Sequence, residues 1–85
     1  MQQPQNLQEV QEIIKSGKPV LLYFSGERCS VCRALKPKVE MAITSNFEDI
    51  LLFEIILEQH PDIAANYMVF TNPTTLVFFD GKEAI

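Results

Sequence analysis

The chain has 85 residues, 47% of them apolar and 21% charged, with a formal net charge of −4. That length suits one domain with a core of its own, and the apolar fraction excludes a disordered chain. The acidic balance argues against a nucleic-acid-binding surface, and no apolar run approaches the roughly 18–20 residues of a membrane span.

Met1 to Asn6 lacks the basic and apolar regions of a signal peptide, so the cytoplasm is the expected location. Gln2 to Gln5 reads as a frayed tail. Asn6 is a helix cap, with Glu9 three residues later as in a capping box. Leu7, Val10, Ile13 and Ile14 then share one helical face, and Lys15, Gly17 and Pro19 end the helix. Val20 to Phe24 is a continuous apolar run, expected as a strand buried on both faces.

Ser25 to Arg28 is a loop delivering the chain to Cys29-Ser30-Val31-Cys32, which holds both cysteines of the sequence. A helical pattern follows from about Ser30 to Ser45, with Pro37 inside it. Cys29 therefore falls at the start of a helix, where unpaired N–H groups and the helix dipole favour a thiolate. Such an environment lowers a cysteine pKa from about 8.5 to roughly 3.5–7.5, and Cys32 lies one turn away, placed to close a disulfide with it. Two other readings compete. A zinc site wants about four ligands, and here His60 alone joins the two cysteines across an intervening helix and strand. The third reading is a pair of inert thiols.

Ile50 to Leu57 is the next strand, with Glu54 as its single charge. His60 reads as a surface residue before Pro61, which opens a short helix carrying Ile63, Ala64 and Tyr67. Thr74 to Phe79 is a third strand, Asp80-Gly81 a hairpin turn, and Lys82 to Ile85 the beginning of a fourth strand. Phe24, Phe53, Phe70, Phe78 and Phe79 are expected to pack in the core or on the sheet. Strand, helix and strand from Val20 to Leu57 predict a right-handed parallel βαβ unit, and the hairpin makes the sheet mixed. Chemistry in such sheets lies beyond the carboxyl ends of the strands, where Cys29 sits.

From Val20 to Ile85 the chain resembles the thioredoxin family. The resemblance is carried by the strand-CxxC-helix unit, by Pro37 five residues after Cys32, and by Asn72-Pro73-Thr74 before a strand and an Asp-Gly turn. It implies an α/β fold of three layers, with a central mixed sheet of a parallel βαβ unit and an antiparallel hairpin flanked by helices. It further implies a cis bond before Pro73, packed beside the cysteine pair, and a backbone at Asn72 that pairs with substrate chains.

The implied activity is thiol–disulfide exchange with protein disulfides through Cys29 and Cys32. Electrons would come from a reductase or a small thiol, and no bound cofactor or metal is needed. The competing function is an interaction module of the same fold whose CxxC is redox-idle.

The chain departs from the family at several places. Arg28 replaces an aromatic before the first cysteine; it either favours the Cys29 thiolate and a more oxidising protein, or is a solvated cation. Ser30-Val31 replaces Gly-Pro. Tyr23 aligns with the family's buried carboxylate and is a poor candidate base. Glu54 aligns near the neighbouring basic residue. It either takes a proton from Cys32 or marks an exposed strand edge, and the edge reading is preferred. The family's first strand and final helix have no counterpart. The single domain is thus expected to be C-terminally truncated, or to self-associate through an uncovered apolar face.

Overall fold

The computed structural model describes residues 1–47 and 49–84. Among them the chain forms α1 (Leu7–Lys15), β1 (Val20–Ser25), α2 (Ser30–Asn46), β2 (Leu51–Ile56), α3 (Pro61–Asn66), β3 (Thr74–Phe79) and β4 (Lys82–Glu83). Ile85, expected in the last strand, lies outside the described residues.

The sheet order is β2-β1-β3-β4, with β1 parallel to β2 and antiparallel to β3. As the central strand, β1 is buried at all six positions, which is why its sequence shows no polar alternation. Asp80 and Gly81 both take positive φ, 51° and 76°, the conformation of a tight hairpin turn between β3 and β4.

Period-2 alternation divides the sheet residues between two cores. Val20, Leu22, Phe24, Phe53, Ile55 and Phe78 face a cluster completed by Val10 and Ile14 of α1 and Ile63 of α3. Leu21, Tyr23, Leu52 and Val77 face the other way, onto Cys32, Leu35, Val39 and Ile43 of α2. Full burial of each large side chain contributes about 1.5–3 kcal/mol, so these two layers fix α2 against the sheet. Asn6 caps α1 as its sequence predicts, its Oδ1 accepting the Glu9 N–H at 2.8 Å. The reciprocal half of the box differs, since Glu9 Oε2 accepts from Gln5 rather than from Asn6.

Three expectations are corrected. The tail is tied down at Gln2, whose N–H donates to Leu52 O and whose carbonyl accepts from Glu54 N–H at 2.8 Å, a single parallel bridge on the outer side of β2. The unpaired edge of β2 supplies the partners that a lone reading of the tail lacks. Phe70 is 75% exposed, because its neighbour Val69 takes the buried position in that loop. Phe79 is 46% exposed, because the depression it lines with Ile43, Phe47 and Val77 is left open.

Candidate active site

β1 ends at Ser25 and hands the chain to a short loop, Gly26 to Arg28, that leads into α2. The Cys29 N–H donates to Gly26 O, and Cys29 itself is the N-cap of α2, with extended φ and ψ of −102° and 94°. Cys29 and Cys32 form a disulfide, with an S–S distance of 2.06 Å. Their surroundings differ. Cys29 is half-buried and its Sγ accepts the Cys32 backbone N–H at 3.1 Å, while Cys32 is 2% exposed against the sheet. Arg28 is exposed next to Cys29 and joins no ion pair among the described residues.

The second predicted pair arrives from β3. Phe24 is the register partner of Thr74, so Asn72 and Pro73 lie at the carboxyl end of β1, the end from which the cysteine loop departs. The Asn72–Pro73 bond is cis. Thr74 Oγ1 donates to Thr71 O at 2.7 Å and closes the turn around it. The Asn72 side chain lies over Gly26, where a Cβ would come within 2.7 Å of Asn72 Nδ2. Glu58, just past β2, accepts the Glu27 N–H at 3.2 Å. Loops from three strands therefore meet at Gly26.

Glu54 overturns the exposed-edge reading. It lies on an outer strand, yet it is only 8% exposed, because its in-register partner across the parallel pair is Tyr23 and both side chains point under α2. Its carboxylate accepts from Lys36 Nζ at 2.9 Å, Ser25 Oγ at 2.9 Å and Gln3 Nε2 at 3.3 Å. Burial alone would push the carboxyl up, but the hydrogen bonds from Lys36 and Ser25 outweigh it and hold Glu54 below its ordinary value. Lys36 is correspondingly raised, first through its hydrogen bond to Glu54.

Tyr23, fully buried, donates its hydroxyl to the backbone carbonyl of Cys32 at 2.7 Å. Burial, and secondly the charge of Glu54, raise its pKa. The sequence reading missed the contacts of Tyr23, Ser25 and Lys36. Their signal was present in the spacing: 23 and 25 share one strand face, and 36 falls one turn after Cys32.

Comparison with known proteins agrees with this geometry. A family model described as Thioredoxin matches residues 2–85. The thioredoxin of Streptomyces clavuligerus is 38% identical over 71 residues, which cover 84% of this chain and 65% of that protein. The chain thus spans a little under two thirds of that relative's length. Among solved structures, oxidised mitochondrial thioredoxin 3 from Saccharomyces cerevisiae superposes with a TM-score of 0.90 at 24% identity, covering 100% of this chain and 79% of that one. Fasciola hepatica thioredoxin does so with a TM-score of 0.88 at 25% identity, covering 100% and 83%.

Proposed function

The chain belongs to the thioredoxin family, and from that premise we propose that it is a thiol–disulfide oxidoreductase acting on protein disulfides through Cys29 and Cys32. The observation that carries the reading is the bonded pair at the helix start, with Cys29 half-buried and Cys32 buried. In the reduced protein the Cys29 thiolate, stabilised by the Cys32 N–H and the helix start, attacks a substrate disulfide. A bond forms between Cys29 Sγ and one substrate sulfur, and the other leaves as a thiolate. Cys32 then gives up its proton and attacks Cys29 Sγ, and the second substrate thiolate departs and is protonated. Two electrons pass to the substrate, and a reductase or a small thiol returns them.

Arg28 and Glu54 are modulators in this scheme, the first by its charge beside Cys29, the second from beneath α2. Asn72 and Pro73 provide the docking edge for the substrate backbone. The cytoplasm, with a role in redox homeostasis, is the proposed setting; among the described residues no helix is long and apolar enough to cross a membrane. Beyond the site, Ile43, Phe47, Val77, Phe79 and Ala84 line an open apolar depression, which is proposed as a self-association face. Sedimentation tests that part: a dimer supports it and a monomer at high concentration contradicts it.

Insulin reduction driven by dithiothreitol tests the function. Precipitation of the insulin B chain well above the uncatalysed rate, and lost in Cys29→Ser, is expected. A rate equal to background would favour an interaction module with an idle CxxC.

A further inference from the structure

The helix that carries the dithiol has few internal means of holding its own first turns. Its N-cap is Cys29, whose side-chain acceptor is a sulfur, and its first turn has no acidic residue to meet the dipole. Pro37 lacks the N–H that would otherwise reach the carbonyl of Arg33. Two side-chain contacts from the sheet stand in. At Cys32 the buried Tyr23 hydroxyl reaches the carbonyl at 2.7 Å, and one turn later Lys36 Nζ reaches Glu54 at 2.9 Å. Tyr23 leaves β1 on the face that packs against Cys32, so its ring also forms the floor under that residue.

Building on the exchange activity proposed above, we propose that Tyr23 is a positioning residue for the resolving step: its hydroxyl ties the peptide of Cys32 to β1 and keeps that thiol facing Cys29 after reduction. Resolution is an intramolecular attack, and its rate depends on how closely Cys32 Sγ is held to the mixed disulfide at Cys29. The first step is bimolecular and needs from Cys32 only its backbone N–H, which the start of α2 aims at Cys29 Sγ without the Tyr23 hydroxyl, so it depends far less on this tie. Tyr23 does not act as a base. With its pKa raised by burial, the phenol stays a neutral donor throughout the range in which thiols titrate. Glu54 is engaged by three donors and is held as an ionised anchor for Lys36. The proton of Cys32 therefore passes to the departing substrate thiolate, directly or through water. The Cys32–Cys29 bond forms as the Cys29–substrate bond breaks.

Tyr23→Phe removes one oxygen and keeps the ring. The test mixes reduced protein with a disulfide-bonded peptide, quenches with acid, and follows the mixed disulfide and the released peptide thiol by mass spectrometry. The expected result is a mixed disulfide that resolves about tenfold more slowly in Tyr23→Phe than in the wild type, a loss below the roughly 100-fold that a misplacement of about 1 Å can cause. Its formation rate, measured in a Cys32→Ser background, should change less than twofold. Equal resolution rates would overturn the inference while leaving the exchange activity intact. A wild type that releases no peptide thiol, with no adduct on Cys29 in Cys32→Ser, would instead overturn the activity on which it builds. Should Tyr23→Phe fail to fold, NMR of the reduced wild-type protein decides. A Tyr23 hydroxyl proton protected from solvent exchange is expected, and one exchanging freely would overturn the tie.

Discussion

Lys36 and Glu54 meet at 2.9 Å beneath the dithiol helix, 18 positions apart in sequence and on different elements. The pair ties α2 to β2 through charge beside the apolar layer that α2 forms with the sheet. Removing one partner leaves the other with an unmet desolvation cost, which is larger than the net contribution of an intact pair.

Lys36→Met should therefore destabilise the fold by about 1–3 kcal/mol at neutral pH. Glu54 adds a pH dependence of definite sign. Its carboxyl lies below the ordinary 4.5, because the hydrogen bonds from Lys36 and Ser25 outweigh burial. The stability it supplies is complete above that ordinary value and is lost as pH falls through the lower folded value. Urea unfolding of the wild type should weaken on the acid side of pH 4.5, and Glu54→Gln should flatten that limb. Parallel pH profiles for the two proteins would contradict this. Lys36, raised chiefly by its bond to Glu54, adds a loss at the alkaline end, above its ordinary 10.5.

Substitution at Gly26 separates the docking role proposed for Asn72 from thiol chemistry. A Cβ there would stand 2.7 Å from Asn72 Nδ2 and 3.4 Å from Glu58 Oε2, both ends of side chains that can turn aside. Gly26→Ala should cost less than about 1 kcal/mol of stability, yet it displaces Asn72 from the cysteine loop. The expected outcome is slower reduction of a protein disulfide with unchanged alkylation of Cys29 by iodoacetamide. Equal slowing of both reactions would show that Asn72 has no separate docking role.

Much of this architecture is legible in the sequence. The unbroken apolar run before Cys29, the helical stripe after Cys32 and the Asp80-Gly81 turn each encode their element within a few neighbouring residues. What escaped is non-local. Glu54 reads as an edge charge because its strand is an edge; only the register with Tyr23, and a lysine brought over by α2, turn it inward. Gln2 reads as tail because its partners, Leu52 and Glu54, lie some fifty positions away. Phe70 reads as core because composition cannot say which of two adjacent apolar residues a loop will bury.

Met68 carries a positive φ of 58°, a conformation that costs a residue with a Cβ about 1–2 kcal/mol. Its side chain is 78% exposed, so little packing depends on it. Met68→Gly should raise stability by about 0.5–1 kcal/mol once the greater backbone entropy of glycine is subtracted. Thermal unfolding checks this, and a lowered midpoint would show that the methionine makes compensating contacts.

The division of labour between the two cysteines is tested most directly by trapping. Cys32→Ser and Cys29→Ser, each reduced and mixed with a disulfide-bonded peptide, are quenched and mapped by mass spectrometry. Cys32→Ser should accumulate a peptide adduct on Cys29, because attack proceeds and resolution is blocked, whereas Cys29→Ser should accumulate almost none. An adduct forming as fast on Cys32 of the Cys29→Ser protein would contradict the assignment of Cys29 as the attacking thiol.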